Sequence, residues 1–122
     1  EEWTYRKYFM TQNYLFPCNF VQVMTDHVYV HSIIPTGPGT CVFKCMMLIS
    51  EPANTEKAQQ YWEKNYNVVK EVFNEDFEIG EAIQAGLSTN ANENFVFGKY
   101  ECGLHWGQKA IDDALEGRLK AS

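Results

Sequence analysis

The stretch VVKEVFNEDFEIGEAIQAGL, Val68 to Leu87, decides how the rest of the chain is read. At roughly 100° per residue on a helical projection, Val69, Val72, Phe73, Ile79, Gly80, Ile83 and Leu87 all fall within roughly 60° of Asp76. Glu71, Asn74, Glu78 and Glu81 fall on the far side. The pattern is that of an amphipathic helix with a carboxylate in the middle of its apolar stripe. Such a carboxylate is costly to bury unless it is paired, protonated or bound to something. Two readings stay open at this point. In one, the helix breaks near Asn74 and Asp76 caps a separate helix from Phe77 to Gly86, accepting backbone N–H bonds. In the other, Asp76 is an anionic ligand for a cation whose remaining ligands lie elsewhere.

Upstream, the chain from Trp3 to Ile49 reads as strands. Val28 and Val30 alternate with Tyr29 and His31, while Cys41, Phe43, Cys45, Met47 and Ile49 share one face with Lys44 on the other. Pro35-Thr36-Gly37-Pro38-Gly39-Thr40 is dense in turn formers and predicts a hairpin connection. Asn54 is the expected cap of a helix that starts near Thr55 and runs past Phe73 toward Gly86. Ser88 to Asn94 reads as a polar loop, Phe95-Val96-Phe97 as a short strand closed by Gly98, and 102–120 as a last helix. That helix would carry Leu104, Ile111, Ala114, Leu115 and Arg118 on one stripe. Strands first and helices after predict an α+β domain in which a curved antiparallel sheet grips one long helix, with Phe43 and its neighbours turned toward the Val69–Ile83 stripe.

A chain of 122 residues with 45% hydrophobic content fits a single domain. Net charge is −6 without any Lys or Arg run, which argues against a nucleic-acid partner. The longest apolar stretch, Cys45-Met46-Met47-Leu48-Ile49, is far below the roughly 20 residues of a membrane span. Cys18, Cys41, Cys45 and Cys102 follow no metal-knuckle or disulfide-scaffold spacing, so a reducing, cytoplasmic setting is expected.

His27 and His31 stand four apart in a strand, about 13 Å at ~3.3 Å per residue, too far to share one ion. They read as ordinary sheet-surface histidines. His105 reads as a solvated helix edge, and Asp112, Asp113, Glu78 and Glu81 as solvated charges. No glycine-rich phosphate loop or Gly-x-Ser-x-Gly elbow occurs. The aromatics Trp3, Tyr5, Tyr14, Phe16, Tyr61, Trp62 and Trp106 read as core or interface mass.

Asn74-Glu75-Asp76-Phe77-Glu78-Ile79-Gly80-Glu81-Ala82-Ile83-Gln84-Ala85-Gly86-Leu87-Ser88 resembles the helix near the end of the catalytic domain in alpha subunits of Rieske-type ring-hydroxylating oxygenases. Leu15-Phe16-Pro17, Ile34-Pro35 and Glu101-Cys102-Gly103-Leu104-His105 echo the same family in the same order, so the likeness spans about Tyr14 to Leu119. Cys18 departs from it, standing where an asparagine is expected. Nothing matches the Cys-x-His and Cys-x-x-His pairs of a Rieske cluster, or the helix with two iron-binding histidines. The resemblance therefore implies the C-terminal part of an oxygenase alpha-subunit catalytic domain, with the Rieske domain absent from 1–122. It implies a helix-grip (START-like) fold and makes Asp76 the carboxylate ligand of a mononuclear Fe(II). It places Val69, Val72, Phe73, Gly80 and Ile83 around an apolar substrate pocket, Gly80 leaving room one turn after Asp76. A facial triad leaves coordination positions open for oxygen. The implied activity is insertion of oxygen from O2 into an aromatic or similar apolar substrate. The implied full-length enzyme carries a Rieske [2Fe-2S] cluster, takes electrons from a ferredoxin or reductase and is a homo-oligomer. The fragment alone is expected to hold no cofactor and to be inactive. The alternative is a non-catalytic START-like module that binds an apolar small molecule.

Overall fold

The structure, a computed structural model, describes residues 5–91 and 94–119. Its elements are α1 (Tyr5–Tyr8), β1 (Thr11–Leu15), β2 (Asn19–Val23), β3 (His27–Gly37), β4 (Thr40–Ile49), α2 (Glu56–Leu87) and α3 (Cys102–Leu115). They fall into two compact units: the sheet with the segment from Val96 onward, and Ser50–Phe95, which contains α2. The class is α+β. A four-stranded antiparallel sheet, one long helix and a C-terminal helix are the parts from which a helix-grip fold is made.

In the first unit the strands form a meander in the order β1-β2-β3-β4. Leu15 pairs with Asn19 across the Phe16-Pro17-Cys18 turn, where the Tyr14 hydroxyl donates to the Pro17 carbonyl. Val23 pairs with Val28, and the connection is closed by Met24 N–H donating to His27 O at 2.9 Å. Gly37 pairs with Thr40 at the hairpin that the Pro-Gly-rich stretch predicts, with a register shift between Pro35 and Gly37. The expected alternation along β4 holds: Phe43, Cys45, Met47 and Ile49 are half-buried while Lys44, Met46 and Leu48 are exposed. Cys41, at the hairpin end, is exposed. Burial peaks on β3, where Tyr29 and His31 are fully covered and His27 nearly so.

Three boundaries differ from expectation. Residues 5–8 form one helical turn where strand was expected, and Trp3 lies outside the described residues. Phe95-Val96-Phe97 is not a strand; Val96 is 93% exposed, and no sheet strand pairs with this run. Three apolar residues beside a glycine have no ladder to join, and without one an extended segment gains nothing from its β propensity. The last helix stops at Leu115, two residues before Gly117, whose φ of 68° is a left-handed conformation open to glycine. Arg118 is therefore off the helix stripe, and 120 lies outside the described residues.

The second unit is dominated by α2, an unbroken helix of 32 residues. Its cap is Thr55 and not Asn54: Thr55 is extended (φ −119°, ψ 150°), and its hydroxyl accepts from Ala58 N–H at 3.2 Å. The far end closes with Ser88 and Thr89 hydroxyls donating to the Ala85 and Gly86 carbonyls, both at 2.7 Å. No break occurs near Asn74. The capping reading of Asp76 is thereby overturned, since a residue in mid-helix meets N–H groups already donated to the preceding turn.

Replacing Tyr29 with alanine should lower urea-unfolding stability by about 3 kcal/mol, the cost of truncating a fully buried ring. Lys44→Ala on the opposite face of the neighbouring strand should change it by under about 0.5 kcal/mol. Equal effects at the two positions would contradict the observed register.

Candidate functional site

Asp76 lies in the interior of α2, about two thirds of the way along it, where no hydrogen bond or ion pair engages its carboxylate among the described residues. It is exposed, so the burial cost expected from its place on the stripe does not arise. Periodicity does put the expected residues on one face, and Phe73 stacks on Phe77 one turn later at 5.8 Å between ring centroids. Of the five candidate pocket residues, Val69 and Phe73 are half-buried, while Val72, Gly80 and Ile83 are exposed. A methyl group built on Gly80 meets nothing within 4 Å, so there is open room one turn from Asp76. What the described residues bring together here is one unengaged carboxylate on a rigid helix beside apolar side chains. They contain no group of three His, Cys, Asp or Glu side chains able to hold a metal. Asp76 is chemically suited to be one ligand, and a complete site needs ligands from elsewhere.

The histidines of β3 are not surface groups. His27, Tyr29 and His31 share the inward face, and the His31 ring stacks against Phe20 at 4.3 Å and against Phe43 at 5.5 Å, with the two phenyl rings 6.4 Å from each other. His27 meets the edge of Tyr29 at 4.7 Å, and its Nδ1 lies 2.6 Å from the Asp26 carboxylate. Strand alternation predicted that the two histidines share a face. That aromatic rings from β2 and β4 would close over it required the register of three strands. Desolvation lowers the His31 pKa, so its imidazole is held neutral. Burial likewise pushes the Cys45 thiol up, away from the thiolate that a nucleophile needs. His105 is exposed, as its helical spacing predicted.

Asp113 is not a solvated charge. It receives Lys109 Nζ at 2.5 Å and Arg118 Nε at 2.8 Å, and hydrogen bonds first from Lys109 and then from Arg118 hold its carboxyl below the usual range. The Lys109–Asp113 spacing of four was legible in the sequence. The Arg118 half depends on the turn at Gly117.

A cavity of the sheet unit opens between β1, β2 and α3. It measures about 650 Å³ and is walled by Tyr14, Phe20, Phe97, Leu104 and Ile111. Its polar groups are Gln12, Gln108 and Glu101, and the Glu101 carboxylate accepts from Gly98 N–H. Sequence reasoning missed it. Its only legible signal was the Gly103/Gly107 spacing on α3, one turn apart.

Residues 1–117 match the model of the ring hydroxylating alpha subunit (catalytic domain), and the chain belongs to that family. A protein of Methanocaldococcus jannaschii described as uncharacterized is 32% identical over 105 residues. The match takes in 82% of this chain and 34% of the relative, so the chain spans about a third of that protein's length. No solved structure matches. Among the described residues, no helix is long and apolar enough to cross a membrane.

The state of His31 sets a pH dependence. Its folded pKa lies below the ordinary 6.5, so between the two values the unfolded chain binds a proton that the folded chain does not. This contribution to stability is complete above 6.5 and declines as pH falls below it. Urea midpoints should fall on acidification through that window. His31→Phe should flatten this part of the profile while leaving the further fall below 3.8 that the depressed Asp113 produces.

Proposed function

We propose that residues 1–122 are a single-domain C-terminal part of the catalytic domain of a cytoplasmic ring-hydroxylating oxygenase alpha subunit, in which Asp76 supplies the carboxylate ligand of a mononuclear non-haem iron. The observation that carries this is the coincidence of the family match over residues 1–117 with an unengaged carboxylate at mid-helix. Coverage of about a third of the relative's length is in keeping with a longer subunit that brings the two histidine ligands and a Rieske [2Fe-2S] domain. Iron bound there supplies oxygen activation. Electrons would come from a ferredoxin or reductase through the Rieske centre of a homo-oligomer, and the substrate is an aromatic or similar apolar molecule.

The role of this chain's own residues is positional. An uninterrupted helix fixes the Asp76 Cα, and one negative charge offsets part of the charge of a divalent ion. Val69, Val72, Phe73 and Ile83 offer apolar contact to a substrate, and the absence of a side chain at Gly80 leaves room beside the ligand. The fragment by itself has one ligand to offer and turns nothing over.

The test is Asp76→Asn in the full-length subunit. Asparagine keeps the volume and loses the charge. The expected variant folds with an unchanged helix and an unchanged Rieske spectrum, retains under about a tenth of the mononuclear iron, and shows no turnover, since tenfold in affinity is only ~1.4 kcal/mol. Full iron occupancy with wild-type activity would remove Asp76 from the ligand set.

A further inference from the structure

We infer that the cavity between β1, β2 and α3 is a binding site for a flat molecule of one or two fused aromatic rings that carries an O–H or N–H donor. Its volume of about 650 Å³ lies within the usual range of small-molecule sites. The walls are of two kinds. Tyr14, Phe20 and Phe97 contribute aromatic rings, which pair well with a planar aromatic ligand, and Leu104 and Ile111 of α3 contribute aliphatic surface. The α3 side is also kept open by glycine. At Gly107 a methyl group would make an ordinary van der Waals contact with the Tyr14 ring at 3.5 Å, whereas at Gly103 a methyl group meets nothing within 4 Å and would stand in the cavity.

The polar groups set the chemistry of the ligand. Glu101 is fixed by the Gly98 N–H that its carboxylate accepts, and an ionised carboxylate is an acceptor only, so the ligand atom beside it must be a donor. Gln108 donates one of its two amide N–H groups to Asp112 at 3.0 Å and keeps both a donor and an acceptor, so the donor requirement rests on Glu101. With Glu101 in the wall and a chain of net charge −6, an anionic ligand is disfavoured. Every wall comes from residues 12–20 and 97–111, and none from the helix that bears Asp76. The inference thus stands or falls separately from the assignment of the iron ligand.

The probe is 2-naphthol, titrated into the 122-residue chain with amide chemical shifts as readout. Expected are saturable shifts centred on Phe97, Gly103 and Gly107, and affinity about tenfold above that for 2-methoxynaphthalene, which keeps the rings but lacks the donor. Glu101→Ala should bring the two probes level. Gly103→Leu, which fills open space and improves helix propensity, should weaken 2-naphthol at least about tenfold with an unchanged circular-dichroism spectrum. Phe97→Ala, outside every helix and strand, supplies an independent variant and should weaken binding several-fold. Shifts that do not saturate, or 2-naphthol binding unchanged by both Gly103→Leu and Phe97→Ala, would overturn the site. Equal affinity for both probes in the wild-type chain would overturn the donor requirement.

Discussion

The sheet unit depends on one layer of rings. His31, Phe20 and Phe43 form a cluster of three mutually contacting rings, with Tyr29 beside His31 on the same strand face. These side chains come from three consecutive strands, so the layer forms only when β2, β3 and β4 are in the observed register. A slip of one residue would turn every inward group outward, exchanging the rings of β3 for Val28 and Val30. Register and burial therefore specify each other. An imidazole can occupy the centre of such a layer because it is stable in its neutral form, which burial favours further.

The second constraint is the continuity of α2. A 32-residue helix contains Gly80 and Gly86, each costing about 1 kcal/mol relative to alanine, and still runs unbroken from Thr55 to Ser88. That continuity rules out Asp76 as a helix cap. At a helix start its carboxylate would have been consumed by backbone N–H groups; at mid-helix it remains available for something outside the helix. That availability is what the role proposed for Asp76 requires.

The terminal helix shows how local devices finish a fold. Glu101 leaves the start of α3 without a side-chain cap and instead ties back to Gly98, closing the turn that leads into the helix. At the other end Asp113 gathers Lys109 from one turn before and Arg118 from beyond the left-handed Gly117. Between these anchors the glycines at 103 and 107 thin the helix surface facing the cavity, and Tyr14, oriented by its hydroxyl bond to Pro17, forms the wall beyond them.

The sequence by itself determined what periodicity and turn chemistry can encode. The strand hairpin around Pro38-Gly39, the inward set Phe43, Cys45, Met47 and Ile49 of β4, the long helix with Asp76 on its apolar stripe, and the family resemblance were all legible there. These are properties of neighbours along the chain: which residues share a face follows from 2.0 or 3.6 residues per repeat. Whether a face is covered does not. Only the tertiary structure decided that the His27–His31 face is the most deeply buried of the sheet and that Asp76 is exposed, because covering a face takes rings or helices from distant positions. It also decided that Phe95-Val96-Phe97, though apolar, pairs with no strand among the described residues, and that residues 12–20 and 97–111 meet around a cavity. Each of these is a contact between segments far apart in sequence, where no local repeat carries the information.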